Sequence, residues 1–228
     1  MALRDRRLSL RQLSGAELLI ALIVLFVSFP FVETLRAGGM IKSILLTLVL
    51  VSALLAIAGH GRILTIAAIM AAPALAARWI NQYRPDLMPP EVFLIFAIVF
   101  VAFVIGNLLR FVLQARSIST EVLCAGISTY MLLGLLWTFA YWLVAELSPG
   151  AFSFNVASEA DPSMKGFNGL YFSLITLNTV GYGDISPVSR LARMLAAMEA
   201  MTGLLYVAVL IARLVGLHIV HANTSPNE

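Results

Sequence analysis

Long apolar stretches separated by short polar ones make up most of the chain. Crossing the hydrocarbon core of a bilayer takes ~20 apolar residues, with a range of ~17–25, and six stretches are long enough. They are Ala16–Leu35, Met40–Ala58, Ile63–Ile80, Val92–Leu113, Val122–Leu147 and Leu191–Val220. None shows the alternation of a membrane barrel strand, and backbone groups in lipid must be paired internally. The pattern therefore predicts an all-α membrane protein with six transmembrane helices.

Composition supports a lipid environment and argues against soluble classes. Hydrophobic residues make up 61% of the chain and charged residues 12%, with a mean hydropathy of +0.94. A soluble protein could not cover that much apolar surface. Cys124 is the only cysteine, so an intrachain disulfide is impossible. The net charge is only +3 and no basic stripe is present, so we expect the lipid bilayer as a partner and no nucleic acid.

The ends of the chain predict its orientation. Six helices place both termini on one side of the membrane, and the N-terminal tail is basic, with Arg4, Arg6, Arg7 and Arg11. Basic residues favour the cytoplasmic side, so we expect a multi-pass protein of the cell membrane with cytoplasmic N- and C-termini. The first apolar stretch is longer than the ~7–15 residues of a signal-peptide core, so we expect it to remain uncleaved.

The connection between the fifth and sixth stretches, Ser148 to Arg190, is too long for a simple turn. Its apolar part, Phe167 to Leu177, is too short to cross a bilayer and predicts a re-entrant half-helix. The segment Thr176 to Asp184, "TLNTVGYGD", follows it. Non-helical backbone at membrane depth is tolerated where it lines a water-filled path. We therefore divide the chain into a four-helix bundle, residues 1–117, and a pore domain, residues 118–228.

Two glycines give that segment an unusual backbone. Gly181 and Gly183 can adopt positive φ at little cost, and alternating them with ordinary residues points successive carbonyls to one side. The side chains of Val180 and Tyr182 would then point away and pack against surrounding helices. One chain supplies one row of oxygens, whereas a ring of identical subunits surrounds a cation completely. The single copy of the segment therefore predicts a homotetramer.

The sequence "TVGYGD" resembles the selectivity filter of potassium channels. With its flanks, "YFSLITLNTVGYGDISP", and the helix that contains Gly203, it is similar to the bacterial members of the voltage-gated-like channel superfamily, over residues 118–228. The resemblance implies K⁺ conduction by a tetramer, with K⁺ as permeant ion, no other cofactor and no transition-metal site. It also implies that the carbonyls of Thr179, Val180, Gly181 and Tyr182 coordinate K⁺, that the Thr179 hydroxyl completes the innermost site, and that Asp184 lies at the outer mouth beside Gly183.

Two positions depart from the pattern of that superfamily. Asn178 stands where Thr or Ser is usual, although its amide can still form hydrogen bonds behind the filter. Ile175 stands where some members carry a glutamate that pairs with the outer aspartate, so Asp184 lacks that partner. Both departures bear on the stability and selectivity of the filter.

The last helix carries a candidate hinge and a candidate cavity face. Gly203 resembles the hinge glycine of the inner helix, although glycine in lipid also permits close helix packing, and both roles stay open. Leu204, Val207, Ile211 and Val215 fall on one helical face. In a tetramer that face would line the cavity and could gate by dewetting, and the alternative is ordinary packing.

Glu199 is an ionisable residue inside a predicted span, where such residues are costly and mark functional sites. At ~3.6 residues per turn it lies about 140° from the Leu204 face, away from the expected ion path. Our hypothesis is a polar anchor to the half-helix through Ser173, Thr176 or Asn178. The alternative is a role in sensing protons or ions.

The front bundle is voltage-sensor-like in position, but a sensor needs several charges that move through the field. The fourth span carries only Arg110 near its inner end, and Arg116 follows it. Because this arginine ladder is missing, we predict weak or absent voltage dependence. His60, His218 and His221 have no metal-ligand spacing and are interpreted as solvated residues.

These observations favour a passive, homotetrameric, potassium-selective channel. An uptake subunit of the Trk or Ktr type would carry four pore units in one chain, whereas this chain has one. A weakly selective cation channel and a non-conducting accessory subunit stay open as alternatives. The sequence has no nucleophile–base pair, metal cluster or phosphate loop, so an enzyme is not expected.

Overall fold

The computed structural model of the protein describes residues 2–33, 35, 37–57, 61–155 and 163–224, without the side chains of 2–14, 61, 62, 85, 218 and 220–224. Over these ranges the elements are α1 (Ala2–Glu33), α2 (Gly38–Ala56), α3 (Gly61–Tyr83), α4 (Pro90–Gln114), α5 (Thr120–Leu147), β1 (Phe152–Phe154), α6 (Phe167–Leu177), β2 (Ile185–Pro187) and α7 (Arg190–Thr224). A short 3₁₀ turn, Pro85–Leu87, precedes α4.

Six of the helices in the described ranges, all except α6, are long and apolar enough to cross a membrane. This confirms the predicted class, an all-α membrane protein. The helices extend past the predicted spans where polar residues continue a helix outside the apolar window. The clearest case is α1, which begins at Ala2 within the basic tail, whereas its apolar window begins at Gly15.

The four front helices and the pore helices share one apolar core. Leu22 on α1, Phe100 on α4 and Leu132 and Phe139 on α5 are all fully buried in the same cluster. The connection from α4 to α5 is only residues 115–119, and Ser119 caps α5 by accepting a hydrogen bond from the N–H of Val122 at 3.4 Å. So short a connection makes α4 and α5 neighbours within one chain. The proposed division at residue 117 is therefore a prediction about roles, and the two parts pack together.

A two-stranded ribbon closes the long connection after α5. Strands β1 and β2 pair antiparallel, with Phe152 opposite Pro187 and Phe154 opposite Ile185. Just beyond the ribbon, the N–H of Asn155 donates to the carbonyl of Asp184 at 2.7 Å. The sequence pattern did not predict these strands, because three residues are too few to show alternation. The ribbon fixes the C-terminal end of the loop that follows α6, at Asp184.

Helix α6 is tied to the front bundle at its N-terminus. The backbone N–H of Phe167 donates to Glu33 Oε2 on α1 at 3.1 Å, and Glu33 Oε1 accepts a 3.0 Å bond from Lys42 Nζ on α2. A carboxylate is favourable there because the first N–H groups of a helix lack partners and carry partial positive charge. One turn into α6, a Cβ on Gly169 would lie 2.2 Å from Nε1 of Trp142, so only glycine allows α5 to come this close.

Candidate functional site

The loop that follows α6, residues 178–184, has an alternating backbone. The φ angles of Thr179, Gly181 and Gly183 are 56°, 55° and 82°, so every second residue is left-handed. Glycine adopts this conformation freely, whereas Thr179 carries the strain of a non-glycine residue, of order ~1–3 kcal/mol. Such strain at one threonine marks a position where the surrounding structure imposes the backbone. We call residues 178–184 the filter loop.

The first N–H groups of the filter loop are hydrogen-bonded within the chain, whereas the carbonyls of residues 179–182 are not. The N–H of Thr179 donates to the Thr176 carbonyl at 2.9 Å, and those of Val180 and Gly181 donate to the Ile175 carbonyl at 2.8 and 3.3 Å. In the part of the chain that the structure describes, no group donates to the carbonyl oxygens of residues 179–182. All four residues are exposed in the single chain, so this row of acceptors is open to water, an ion or another protein surface.

Two side chains of the filter loop are exposed in the single chain. Val180 is 51% and Tyr182 73% exposed. The expectation that they pack against surrounding helices is not met within the described chain and stays a prediction for an assembly of several copies. They project from the edge of the fold, where the same chain has no helix to cover them.

The C-terminal end of the filter loop, at Asp184, is held by Tyr171 on α6. Its hydroxyl donates to Asp184 Oδ2 at 2.6 Å, and the N–H of Ile185 donates to Oδ1 at 3.0 Å. Burial, followed by the bond to the Asp184 carboxylate, raises the pKa of Tyr171 to about 12, so the phenol keeps its hydrogen at neutral pH. Asp184 is thus paired although Ile175 replaces the glutamate of some relatives. The sequence analysis missed Tyr171, which lies one turn before Ile175 on the same helical face.

The N-terminal end of the filter loop is held by its first residue, Asn178. Its Oδ1 accepts a 3.0 Å hydrogen bond from the Tyr130 hydroxyl on α5, and its Nδ2 donates to the Leu174 carbonyl at 2.8 Å. The ring of Tyr130 stacks on Tyr206 of α7, with 5.7 Å between centroids. The Asn178 amide therefore joins the loop to α5 directly and, through Tyr130, to α7.

Glu199 lies at the junction of three helices and is 0% exposed. Its Oε1 is 2.6 Å from Ser173 Oγ on α6, and its Oε2 accepts a hydrogen bond from the Tyr141 hydroxyl on α5. Of the three anchors considered from the sequence, Ser173 is the one in contact; the described bonds of Thr176 and Asn178 go elsewhere. Tyr141 was missed, because nothing in the sequence links residues so far apart.

Gly203 lies where α7 crosses the end of α6. A Cβ at this position would lie 2.1 Å from the carbonyl oxygen of Leu177, so the close-packing role of this glycine is present in the structure. Its role as a hinge stays a prediction. The four residues of the predicted cavity face all turn away from the chain's own core and are exposed: Leu204, Val207, Ile211 and Val215.

Metal-binding and charged positions add little to this site. Within the described residues, no group of three or more His, Cys, Asp or Glu side chains could hold a metal ion. His60 and the side chains of His218 and His221 lie outside the described part. Arg110 is exposed near the C-terminal end of α4. Arg213 Nη2 on α7 donates to the Ala115 carbonyl at 2.6 Å.

The fold is that of a multi-pass helical membrane protein, and the comparisons relate part of the chain to ion channels. Residues 118–217, slightly less than half of the chain, match the family model described as "Ion channel". Two rice proteins (Oryza sativa subsp. japonica) are similar to part of this chain. "Two pore potassium channel c" is 31% identical over 80 residues, 35% of this chain and 18% of that protein. "Two pore potassium channel b" is 32% identical over 91 residues, 39% of this chain and 24% of that protein.

The chain therefore spans at most about a quarter of the length of the curated relatives it matches. No solved structure matches this chain. The family match covers the region that contains α5, α6, the filter loop and most of α7.

Gly203→Ala is predicted to destabilise the protein, because the new methyl group meets a backbone carbonyl that cannot move without shifting α6. We expect a cost of about 1–3 kcal/mol from overpacking. Thermal unfolding in detergent measures it. The matched control is Gly216→Ala on the same helix, where a Cβ meets nothing within 4 Å and alanine should be neutral or stabilising. Equal unfolding temperatures for the two variants would contradict the close approach.

Tyr171→Phe removes the hydroxyl that Asp184 accepts from while leaving the ring in place. A hydrogen bond to a charged acceptor is worth about 1.5–3 kcal/mol, so we expect a lower unfolding temperature. Tyr83→Phe, at an exposed tyrosine on α3, is the control and should leave stability unchanged. A Tyr171→Phe protein as stable as the control would show that Asp184 does not depend on this contact.

Proposed function

We propose that the protein is a passive potassium-selective channel, formed by four copies of the chain around a shared axis. The observation that carries the proposal is the row of carbonyl oxygens at Thr179, Val180, Gly181 and Tyr182, which accept no hydrogen bond from the described residues. Potassium filters replace the hydration shell of the ion with such carbonyls. The two rice relatives are named as potassium channels, which supports K⁺ as the permeant ion.

The proposed mechanism uses backbone atoms for selection and side chains for support. K⁺ sheds its water as it enters and passes between rings of carbonyl oxygens, with the Thr179 hydroxyl completing the innermost ring. The carbonyl end of α6 directly precedes the loop, and its partial negative charge favours a cation there. Asp184, held by Tyr171, attracts cations at the outer mouth.

Tetramer formation follows from what a single chain leaves incomplete. One filter loop supplies one row of oxygens, and closed rings of identical subunits are the usual way to surround an axis. Val180, Tyr182 and the cavity face of α7 are exposed in one chain and would be covered or would line the pore in four. The partners proposed are thus further copies of the chain, K⁺ and the lipid bilayer, without nucleic acid or another cofactor.

Placement and gating are proposed from the same features. The protein lies in the cell membrane with both termini cytoplasmic, as the basic tail favours. The front bundle lacks an arginine ladder on α4, so we expect conduction to depend weakly on voltage.

Flux of an Rb⁺ tracer into liposomes that contain purified protein tests this function. We expect uptake that Ba²⁺ blocks and that K⁺, but not Na⁺, competes. Mass measurement in detergent should give four copies. Equal competition by Na⁺ would favour a weakly selective cation channel, and a tetramer without flux would favour an accessory subunit. A monomer would contradict the proposal.

Gly181→Ala should abolish selective flux, because a Cβ at φ 55° strains the backbone that aims the carbonyls. Gly150→Ala is the matched control. Gly150 has a φ of 82° and, like Gly181, no atom within 4 Å of an added Cβ, but it lies in the turn before β1. Both variants should lose about 1 kcal/mol of stability, and only Gly181→Ala should lose K⁺ flux. Retained selectivity in Gly181→Ala would refute the role of this backbone.

A further inference from the structure

The contacts around Glu199 and Ser173 together need one more hydrogen than the two hydroxyl groups supply. Three oxygen–oxygen contacts form a chain across the helices. The Tyr141 hydroxyl meets Glu199 Oε2, Glu199 Oε1 lies 2.6 Å from Ser173 Oγ, and Ser173 Oγ lies 2.7 Å from the carbonyl oxygen of Gly134 on α5. At these separations each contact needs a hydrogen between its two oxygens.

Counting hydrogens decides the protonation state. Tyr141 and Ser173 each carry one hydroxyl hydrogen, and a peptide carbonyl carries none. Tyr141 uses its hydrogen on Oε2, and Ser173 can fill only one of its two contacts. The third hydrogen must therefore come from the carboxyl group. With a hydrogen on Oε1, Glu199 donates to Ser173 and Ser173 donates to the Gly134 carbonyl, so every contact is filled.

Among the described residues, no ion pair or hydrogen bond brings a cationic side chain to Glu199. The ion pairs in the described part of the chain join Lys42 to Glu33 and Lys165 to Glu146. On α7 itself, Arg193 donates to the Pro187 carbonyl at the start of the helix. An unpaired charge in such a site costs several kcal/mol, whereas a neutral acid does not.

The other titratable groups of the packed elements are also committed elsewhere. From α5, Tyr141 donates to Glu199 and Tyr130 donates to Asn178. From α6, Tyr171 faces Asp184, and from α7, Tyr206 donates to the Gly126 carbonyl. None of them can supply the missing hydrogen to the Ser173 contacts.

We propose that Glu199 is held as a neutral carboxylic acid that donates to Ser173, and that the resulting hydrogen-bond chain joins α7 through α6 to the backbone of α5. Ser173 lies on the half-helix two residues before Ile175, whose carbonyl accepts the N–H groups of Val180 and Gly181. Glu199 is thus a positioning residue. It touches no ion, and it fixes the C-terminal end of α6, which directly precedes the filter loop.

Infrared spectroscopy tests the protonation state without requiring ion flux. At neutral pH exposed carboxyl groups are ionised, and a protonated one shows a carbonyl stretch that carboxylates lack. In an ester-free detergent, the difference between wild type and Glu199→Gln should contain this band. The control is Asp86→Asn, an exposed acid in the turn between α3 and α4 and outside the membrane-spanning helices, whose difference spectrum should lose a carboxylate band instead. Loss of a carboxylate band in Glu199→Gln would overturn the proposal.

Two further variants keep the test decisive. Ser173→Ala removes the acceptor of the carboxyl hydrogen, so the Glu199 band should persist and move to higher frequency. If Ser173→Ala leaves the band where it was, the hydrogen-bond chain is refuted. Glu199→Ala should lower the unfolding temperature by about 5–10 °C, whereas glutamine, a neutral donor and acceptor, should stay near wild type. Equal losses for glutamine and alanine would contradict the neutral acid.

The consequence for conduction rests on the proposed function and has its own readout. K⁺ flux per tetramer should fall in Glu199→Ala and be retained in Glu199→Gln. If the wild-type protein carries no K⁺, the proposed function fails while the infrared result still stands. If the protein conducts but both variants lose flux equally, the positioning role of a neutral acid is refuted.

Discussion

In a chain so apolar, the constraint on which the site depends is that lipid satisfies no polar backbone group. The transmembrane helices meet it internally. The filter loop does so only in part: the N–H groups of Val180 and Gly181 bond to the Ile175 carbonyl on α6. Its carbonyls from 179 to 182 accept nothing from the described chain. Such oxygens are tolerated only beside water, an ion or another protein surface, and the proposed function places K⁺ beside them.

Because the carbonyls of residues 179–182 accept no hydrogen bond from the described chain, the filter loop depends on α6 for its position. Several contacts hold α6 and the end of the loop in place. Glu33 on α1 binds the first N–H of the helix, and Gly203 lets α7 approach its last carbonyl. Glu199 reaches Ser173 from the side, while Tyr171 holds Asp184 beyond the loop. Because one contact comes from α1, the front bundle supports the half-helix directly and is more than a membrane anchor.

Sequence reasoning reached the elements whose cause is local. Six helices follow from the length of apolar stretches, and the apolar run Phe167–Leu177 matches the bounds of α6. The left-handed positions at Gly181 and Gly183 follow from their residue type. The supports were less accessible: Tyr141 is 58 residues from Glu199, and Glu33 is 134 from Phe167. Contacts at such separation leave no periodicity in the chain, and the three-residue strands are too short to leave any.

Exposure must be weighed differently in this protein than in a soluble one. Leu204, Val207, Ile211 and Val215 are exposed on α7, but lipid tails are as apolar as leucine, so an open apolar face does not itself demand a partner. The unpaired carbonyls do need a partner, because a lipid tail cannot donate a hydrogen bond to them. Water, an ion or another protein must take that place. The case for several copies around one axis therefore rests on four backbone oxygens and not on the much larger apolar surface of the inner helix. The apolar face becomes informative only under the proposed assembly, in which it lies beside the shared axis.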